Sequence, residues 1–364
     1  MSTLSSFFSS LATSQTEAVL GGVVGVDIGS SAVKVVQLEQ KHGRLTLSTY
    51  GELQLGPYAD RGLGQAVTLT VENEQAALVD VIRESAVKAD DAVFAMPLSS
   101  SFVTNVSIEA AQGADLAAMV RVEARKVIPA SLSEVTLDWA EVEAVQTNKE
   151  NKLETHNVLI AAIQNNALER FKVLMQFAGL KNPPTEIECF SAIRSLLGGK
   201  QTNVAILDIG ATAAKLYIVK SGQLMRMHRV RAGGAVATQA IAKELNLEFE
   251  AAEEMKHTIT RSDAQFVDVQ RVHHASYERG FREFAQVIAE YEKKTDSKVE
   301  LIHLTGGAAI FPGTDAFVRE TLGRDVDLAD PFSKVAYPAF MEDTVKVIGP
   351  SFTVALGAAL RQFE

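Results

Sequence analysis

Asp27-Ile28-Gly29-Ser30-Ser31-Ala32-Val33-Lys34 is written a second time as Asp208-Ile209-Gly210-Ala211-Thr212-Ala213-Ala214-Lys215. Each copy follows an apolar run, Val23 to Val26 and Val204 to Leu207. Each leads into another, Val35-Val36 and Leu216 to Val219. Apolar run, glycine turn, apolar run is a β-hairpin pattern. A hairpin repeated at this distance predicts two related domains facing one another. An acid and small residues at both turns point to phosphate and metal chemistry in the cleft between them.

The Gly29-Ser30-Ser31 turn offers consecutive backbone N–H groups and two hydroxyls, a concavity suited to an anion. Small residues let phosphate oxygens approach the backbone. Lys34 adds a positive charge. Asp27 and Asp208 suit a Mg²⁺ ion that keeps most of its waters. Thr305-Gly306-Gly307, after the apolar run Leu301 to Leu304, predicts a third anion turn at a helix start. Gly198-Gly199-Lys200-Gln201 is a decoy for a P-loop, because Arg194 stands where its first glycine belongs and Gln201 replaces the Ser or Thr.

A chain of 364 residues is too long for one ordinary core, so two main domains are expected. Net charge is −10, which argues against a nucleic-acid binder with a basic face. The one cysteine, Cys189, excludes an internal disulfide and fits a reducing cytosol. No apolar run approaches the roughly 18 residues of a membrane span. No Lys or Arg precedes Lys34, so the basic start of a secretory signal is missing. Leu4, Phe7, Phe8 and Leu11 share one helical face, either a docking or membrane-surface helix or part of a Ser/Thr-rich arm. The lack of basic residues weakens the membrane version.

Periodicity predicts further elements. Helices are expected over Asn73 to Ala89, Asp115 to Val127, Asn166 to Ala178, Cys189 to Leu197, Glu250 to Lys256, Val272 to Glu292 and Val354 to Leu360. Another opens at Gly233-Gly234. Strands are expected at Val93 to Ala95, Phe102 to Ile108, Val135 to Val142, Val158 to Ile163 and Leu301 to Leu304. Residues 98–163 read as a small α+β unit set inside the first domain. His273 and His274 are adjacent and point to different sides of a helix, so they form no metal site. Trp139 reads as packing.

Together these motifs resemble the actin-like ATPase superfamily, shared with Hsp70 chaperones and sugar kinases, from Val23 to Leu360. The resemblance implies an α/β, ribonuclease H-like fold of two domains around an ATP cleft. It implies that Gly29, Ser30, Ser31 and Lys34 hold the β- and γ-phosphates, and that Asp27 and Asp208 bind Mg²⁺ through water. Gly210, Ala211, Thr212, Lys215, Gly233 and Gly234 complete the nucleotide site. Gly306, Gly307 and Ala308 line the α-phosphate and adenosine, and Glu253 and Lys256 fall at ribose and base contacts. Glu188, with Asp208, falls at the catalytic position that orients attacking water. Three departures count against fast hydrolysis: Ala211-Thr212 replace glycines, Lys215 replaces Asp or His, and Cys189 replaces Pro.

Within that superfamily the chain is similar to the PilM family of type IV pilus assembly. Glu123-Ala124-Arg125-Lys126-Val127-Ile128-Pro129 and Glu134 to Trp139 carry the likeness, with Ala161-Ala162, Phe171 to Leu180 and Leu360 to Phe363. The resemblance implies a flexible or amphipathic arm over 1–20 and a first domain of 21–97, 164–200 and 341–364. The insert is then 98–163 and the second domain 201–340. It implies a cytoplasmic scaffold, reached by the membrane only through partners, that binds the cytoplasmic N-terminus of a PilN-like single-span protein. Contacts with pilus motor ATPases, the platform protein or a second copy belong to the same expectation. The division protein FtsA shares the insert but usually ends in a basic membrane helix, for which the chain leaves no room after Glu364. An FtsA-like filament and a small-molecule kinase stay open as alternatives, though no residue offers itself as a kinase's general base.

Overall fold

The computed structural model describes residues 22–142, 146–147, 153–181, 185–197 and 203–364. The apolar face at 4–11 and the P-loop decoy at 198–201 lie outside the described residues, as do Pro183-Pro184, whose sequence predicts a rigid bend.

The chain opens with β1 (Val23–Ile28), β2 (Ala32–Lys41) and β3 (Arg44–Gln54), an antiparallel meander. Helix α1 (Val71–Glu84) starts where the Thr70 hydroxyl accepts from the Asn73 N–H, and it returns the chain to β4 (Asp91–Met96), parallel to β1. Both β1 and β4 are near-continuous Val, Ile, Ala and Phe, as strands covered on two faces must be. The insert follows as β5 (Ser101–Ala111), α2 (Leu116–Val127), β6 (Val135–Glu141), β7 (Gln146–Thr147) and β8 (Leu153–Gln164). Its sheet has the order β5-β8-β6, with β7 on β8. Val120 and Ala124 of α2 pack on Ile108, Val158 and Ile160, and Trp139 joins that core as a packing residue. Helix α3 (Asn165–Phe177), β9 (Thr185–Ile187) and α4 (Glu188–Leu196) complete the half, and its sheet reads β3-β2-β1-β4-β9.

The second half repeats this plan. Strands β10 (Asn203–Ile209), β11 (Ala214–Lys220) and β12 (Gln223–Val230) form the meander. Helices α5 (Gly234–Leu245), α6 (Phe249–Thr258) and α7 (Phe266–Thr295) lead to β13 (Leu301–Thr305), parallel to β10. Helix α8 (Thr314–Leu322) and β14 (Asp325–Leu328) finish the sheet β12-β11-β10-β13-β14. Strand order and direction match the first sheet one for one. Helix α9 (Glu342–Leu360) then lies back across the first sheet, against β1, β2 and α4.

Some elements differ from expectation. Helix α9 begins at Glu342 rather than at Val354, because Pro350 removes one backbone bond without ending the helix. Burial of Val345 and Phe352 against Phe332 holds both sides of that proline. Helix α7 runs to Thr295, where Asp296 turns left-handed at φ 49°. The third glycine turn does not open a helix. Residues 306–313 form successive turns, and α8 starts only after Gly313 at φ 91°.

Candidate functional site

The two hairpins close identically. The Gly29 N–H donates to the Ala32 carbonyl at 2.9 Å, and the Gly210 N–H to the Ala213 carbonyl at 3.0 Å. Antiparallel register sets Asp27 opposite Lys34 and Asp208 opposite Lys215. The turns face each other across a cavity of about 400 Å³, within the range of small-molecule sites. The Ser30 hydroxyl reaches Thr212 Oγ1 at 3.4 Å, so the repeats meet at their tips.

Asp27, Gly29, Ser30, Ser31 and Lys34 line this cavity from the first half. Asp208, Gly210, Ala211, Thr212 and Lys215 line it from the second, and Glu188 from the start of α4. Gly234, Glu253, Lys256, Gly306, Gly307 and Ala308 close its far end. Gly233 does not line it. It packs behind the second turn, where a Cβ would stand 2.4 Å from the Ala211 carbonyl oxygen. Gly306 is required by its own backbone, since φ is +94° and a Cβ would sit 2.5 Å from Asp208 Oδ1.

The floor of the cavity is an acid–lysine cluster. Lys215 Nζ lies 2.6 Å from Glu188 Oε2 and 3.2 Å from Asp208 Oδ2. Burial alone would push this ammonium down, but Asp208 and Glu188 together hold it above the ordinary lysine range. The other Glu188 oxygen accepts from the Leu98 N–H at 2.7 Å, so both ends of that carboxylate are engaged. Burial pushes the Asp27 carboxyl up to about 6, against the pull of Lys34. Lys34 itself keeps a looser partner, Glu52, at 3.9 Å.

This arrangement bears on a metal bound directly by Asp208 and Glu188, and not on the expected ion held through water by Asp27 and Asp208. The facing oxygens of Asp208 and Glu188 already share one ammonium. A divalent ion 4 Å from an ammonium is opposed by about 8 kcal/mol at an effective dielectric of about 20. That cancels the attraction of one carboxylate at the same distance. With Lys215 in place the pair offers a divalent ion only the net attraction of a single carboxylate, too little for a metal site at Asp208 and Glu188.

At the far end Lys256 Nζ contacts Glu253 Oε2 at 2.6 Å and Thr238 Oγ1 at 2.8 Å. Burial would raise the Glu253 carboxyl, but hydrogen bonds from His257, Lys256 and Thr238 bring it down to about 2. Both side chains are buried rather than on a solvated helix face. The segment at Gly62 to Gln65 closes over α6, where Gln65 Nε2 donates to Glu250 Oε1 at 3.0 Å.

Several cavity residues escape sequence reasoning. Arg229 stands opposite Lys215 in the β11–β12 register, exposed and with no ion pair among the described residues. The alternation of β12 is the signal that could have found it. Arg170 of α3 donates to Glu74 of α1 through Nε at 2.8 Å, a pairing that no local pattern predicts. No group of three or more His, Cys, Asp or Glu among the described residues could hold a metal ion. His273 and His274 instead stack on Phe311 and Phe317.

Two sheets of one topology, each presenting its hairpin turn to a shared cleft, define an actin-like protein. The sequence model of one family in that class matches residues 25–363. The chain belongs to that family, described as type IV pilus assembly protein PilM. Among solved structures it is similar to a chain of a "PilM-PilN type IV pilus biogenesis complex", at 22% identity and a TM-score of 0.78. That likeness covers 94% of this chain and 98% of the other. The ethanolamine utilization protein EutJ from Carboxydothermus hydrogenoformans is similar at 17% identity and TM-score 0.53, over 93% and 88%. A diol dehydratase-reactivating factor in nucleotide-free form is similar at 11% identity and TM-score 0.51, over 94% and 100%. At these identities the likeness is one of fold, and the actin-like expectation holds. No helix among the described residues is long and apolar enough to cross a membrane.

Proposed function

We propose that this pilus-assembly protein is an ATP-binding scaffold whose cleft state sets its affinity for a PilN-like partner. The observation that carries the reading is the meeting of the two hairpin turns, Ser30 to Thr212, over a cavity of nucleotide size. Backbone N–H groups at 30–31 and 211–212 take the phosphates, with Lys34 and Arg229 as the cations least committed to protein carboxylates. Gly306 to Ala308, Glu253 and Lys256 take the nucleoside. One ligand touching both halves holds 21–97, 164–200 and 341–364 against 201–340, with 98–163 as the insert. Hydrolysis is slow or absent, because both oxygens of Glu188 are bonded within the protein and neither is free to orient water.

The partner surface is the first domain or its insert. The ligand there is the cytoplasmic N-terminal peptide of a PilN-like single-span protein, through which the chain sits on the inner membrane. A titration of the protein with that peptide, with and without ATP, tests this. Saturable binding whose affinity changes with ATP is expected, since two linked sites alter one another reciprocally. Folded protein that ignores the peptide in both states refutes the scaffold reading.

A further inference from the structure

Two carboxylates, Asp208 and Glu188, meet at one ammonium on the floor of the cleft. Such a cluster ordinarily attracts a hard divalent cation with oxygen ligands. Here the cluster carries its own cation. Lys215 reaches it from the strand end after the second hairpin turn, in register with Asp208. Its Nζ sits 2.6 Å from Glu188 Oε2 and 3.2 Å from Asp208 Oδ2, and its side chain is 16% exposed. An ammonium has three donors and a single charge that cannot leave. It offsets one of the two negative charges at all times, where a metal would come and go.

We propose that Lys215 replaces a divalent metal at this cleft, so that ATP is held without metal bound to Asp208 or Glu188. The proposal rests on the nucleotide reading above for its ligand, but its metal half stands apart from it. The Lys215 ammonium draws the two acids together and denies them to a metal. Glu188 stays fixed between Lys215 and the Leu98 N–H. Lys215 is thus a positioning residue, and its replacement should create a metal site that the native chain lacks.

The decisive experiment uses Mn²⁺ as a paramagnetic probe on the nucleotide-free full chain. Wild type is expected to bind no Mn²⁺ at the cleft. Lys215→Gln, which frees both carboxylates, is expected to bind it at least about tenfold more tightly. Lys215→Arg keeps the charge and should behave as wild type. Wild type that binds Mn²⁺ as tightly as Lys215→Gln overturns the proposal. So does Lys215→Gln that folds, by circular dichroism, and gains no Mn²⁺. If Lys215→Gln does not fold, wild type and Lys215→Arg still decide, because Mn²⁺ held by either one refutes the substitution of metal by lysine. A parallel titration with ATP in EDTA and in Mg²⁺ should show wild-type affinities within about threefold of one another. A tenfold loss in EDTA overturns the proposal alone. No ATP binding in either buffer overturns the nucleotide reading, and the Mn²⁺ comparison still decides whether Lys215 holds the metal's place.

Discussion

Gly357→Ala should destabilise this protein, although the residue lies in a helix where alanine is normally the better choice. Gly357 has ordinary helical φ, so no backbone strain enters. On propensity alone alanine would add about 1 kcal/mol. A Cβ built there, however, stands 1.8 Å from the Ser191 carbonyl oxygen and 2.5 Å from its carbon. Helices α4 and α9 touch here backbone to backbone. Restoring van der Waals contact requires them to part by about 1.5 Å. The obstacle is a carbonyl, so no rotamer change relieves it. Parting also stretches the bond from Arg194 to the Gly357 carbonyl, 3.3 Å long, and pulls Glu188 from the Leu98 N–H. Overpacking costs about 1–3 kcal/mol and a lost buried hydrogen bond about 1–3 more. After the propensity gain the net loss is about 1–5 kcal/mol, to be set against the roughly 5–15 kcal/mol typical of a folded domain. Urea unfolding of both proteins reads this directly. Ser191→Gly in the same background should not rescue, since the clash is with the main chain. A Gly357→Ala protein as stable as wild type would refute the close helix crossing and the positioning of Glu188 by it.

Two further outcomes follow from buried polar groups. Arg194 and Glu186 are each 1% exposed and doubly bonded, with Nη2 to Oε1 at 2.6 Å. Arg194→Met strands Glu186 and should cost about 3–5 kcal/mol in urea unfolding, while adding Glu186→Gln recovers part of it. A single substitution costing under about 1 kcal/mol would contradict a dry ion pair. His273 is fully buried, stacked on Phe311, and neither ring nitrogen has a partner among the described residues. Burial, with His274 and Lys256, holds its pKa well below 6.5. The unfolded chain then binds the extra proton, so His273 makes stability fall as pH drops below about 6.5. His273→Phe should raise stability by about 1–2 kcal/mol and flatten that acid limb, read by urea unfolding at pH 7 and pH 5. A steeper limb in the variant would refute the neutral buried imidazole.

Much of the fold was legible because its signals are local. The Asp-Ile-Gly turns are set by adjacent residues, and the structure closes both with the same hydrogen bond and register. Helix α2 begins at Leu116, where Asp115 caps it, one residue from the expected start. Misread boundaries trace to longer-range packing. Pro350 looks like a stop, yet the first sheet and Phe332 bury residues on both sides of it and the helix runs through. Gly306-Gly307 looks like a helix start, but its φ of +94° serves to pass Asp208 closely instead.

Sequence by itself determined the repeat, the paired sheets it implies, and the cavity-facing set from Asp27 to Ala308, Gly233 excepted. These follow from alternation, turn chemistry and propensity, which act over a few residues. Tertiary structure alone decided what the charged members do. Glu188 and Lys215 lie in different halves of the chain, and only folding sets them 2.6 Å apart. Arg170 meets Glu74, and Gln65 meets Glu250, for the same reason. Charge pairing depends on distance in space and on burial, and neither is written in the order of residues.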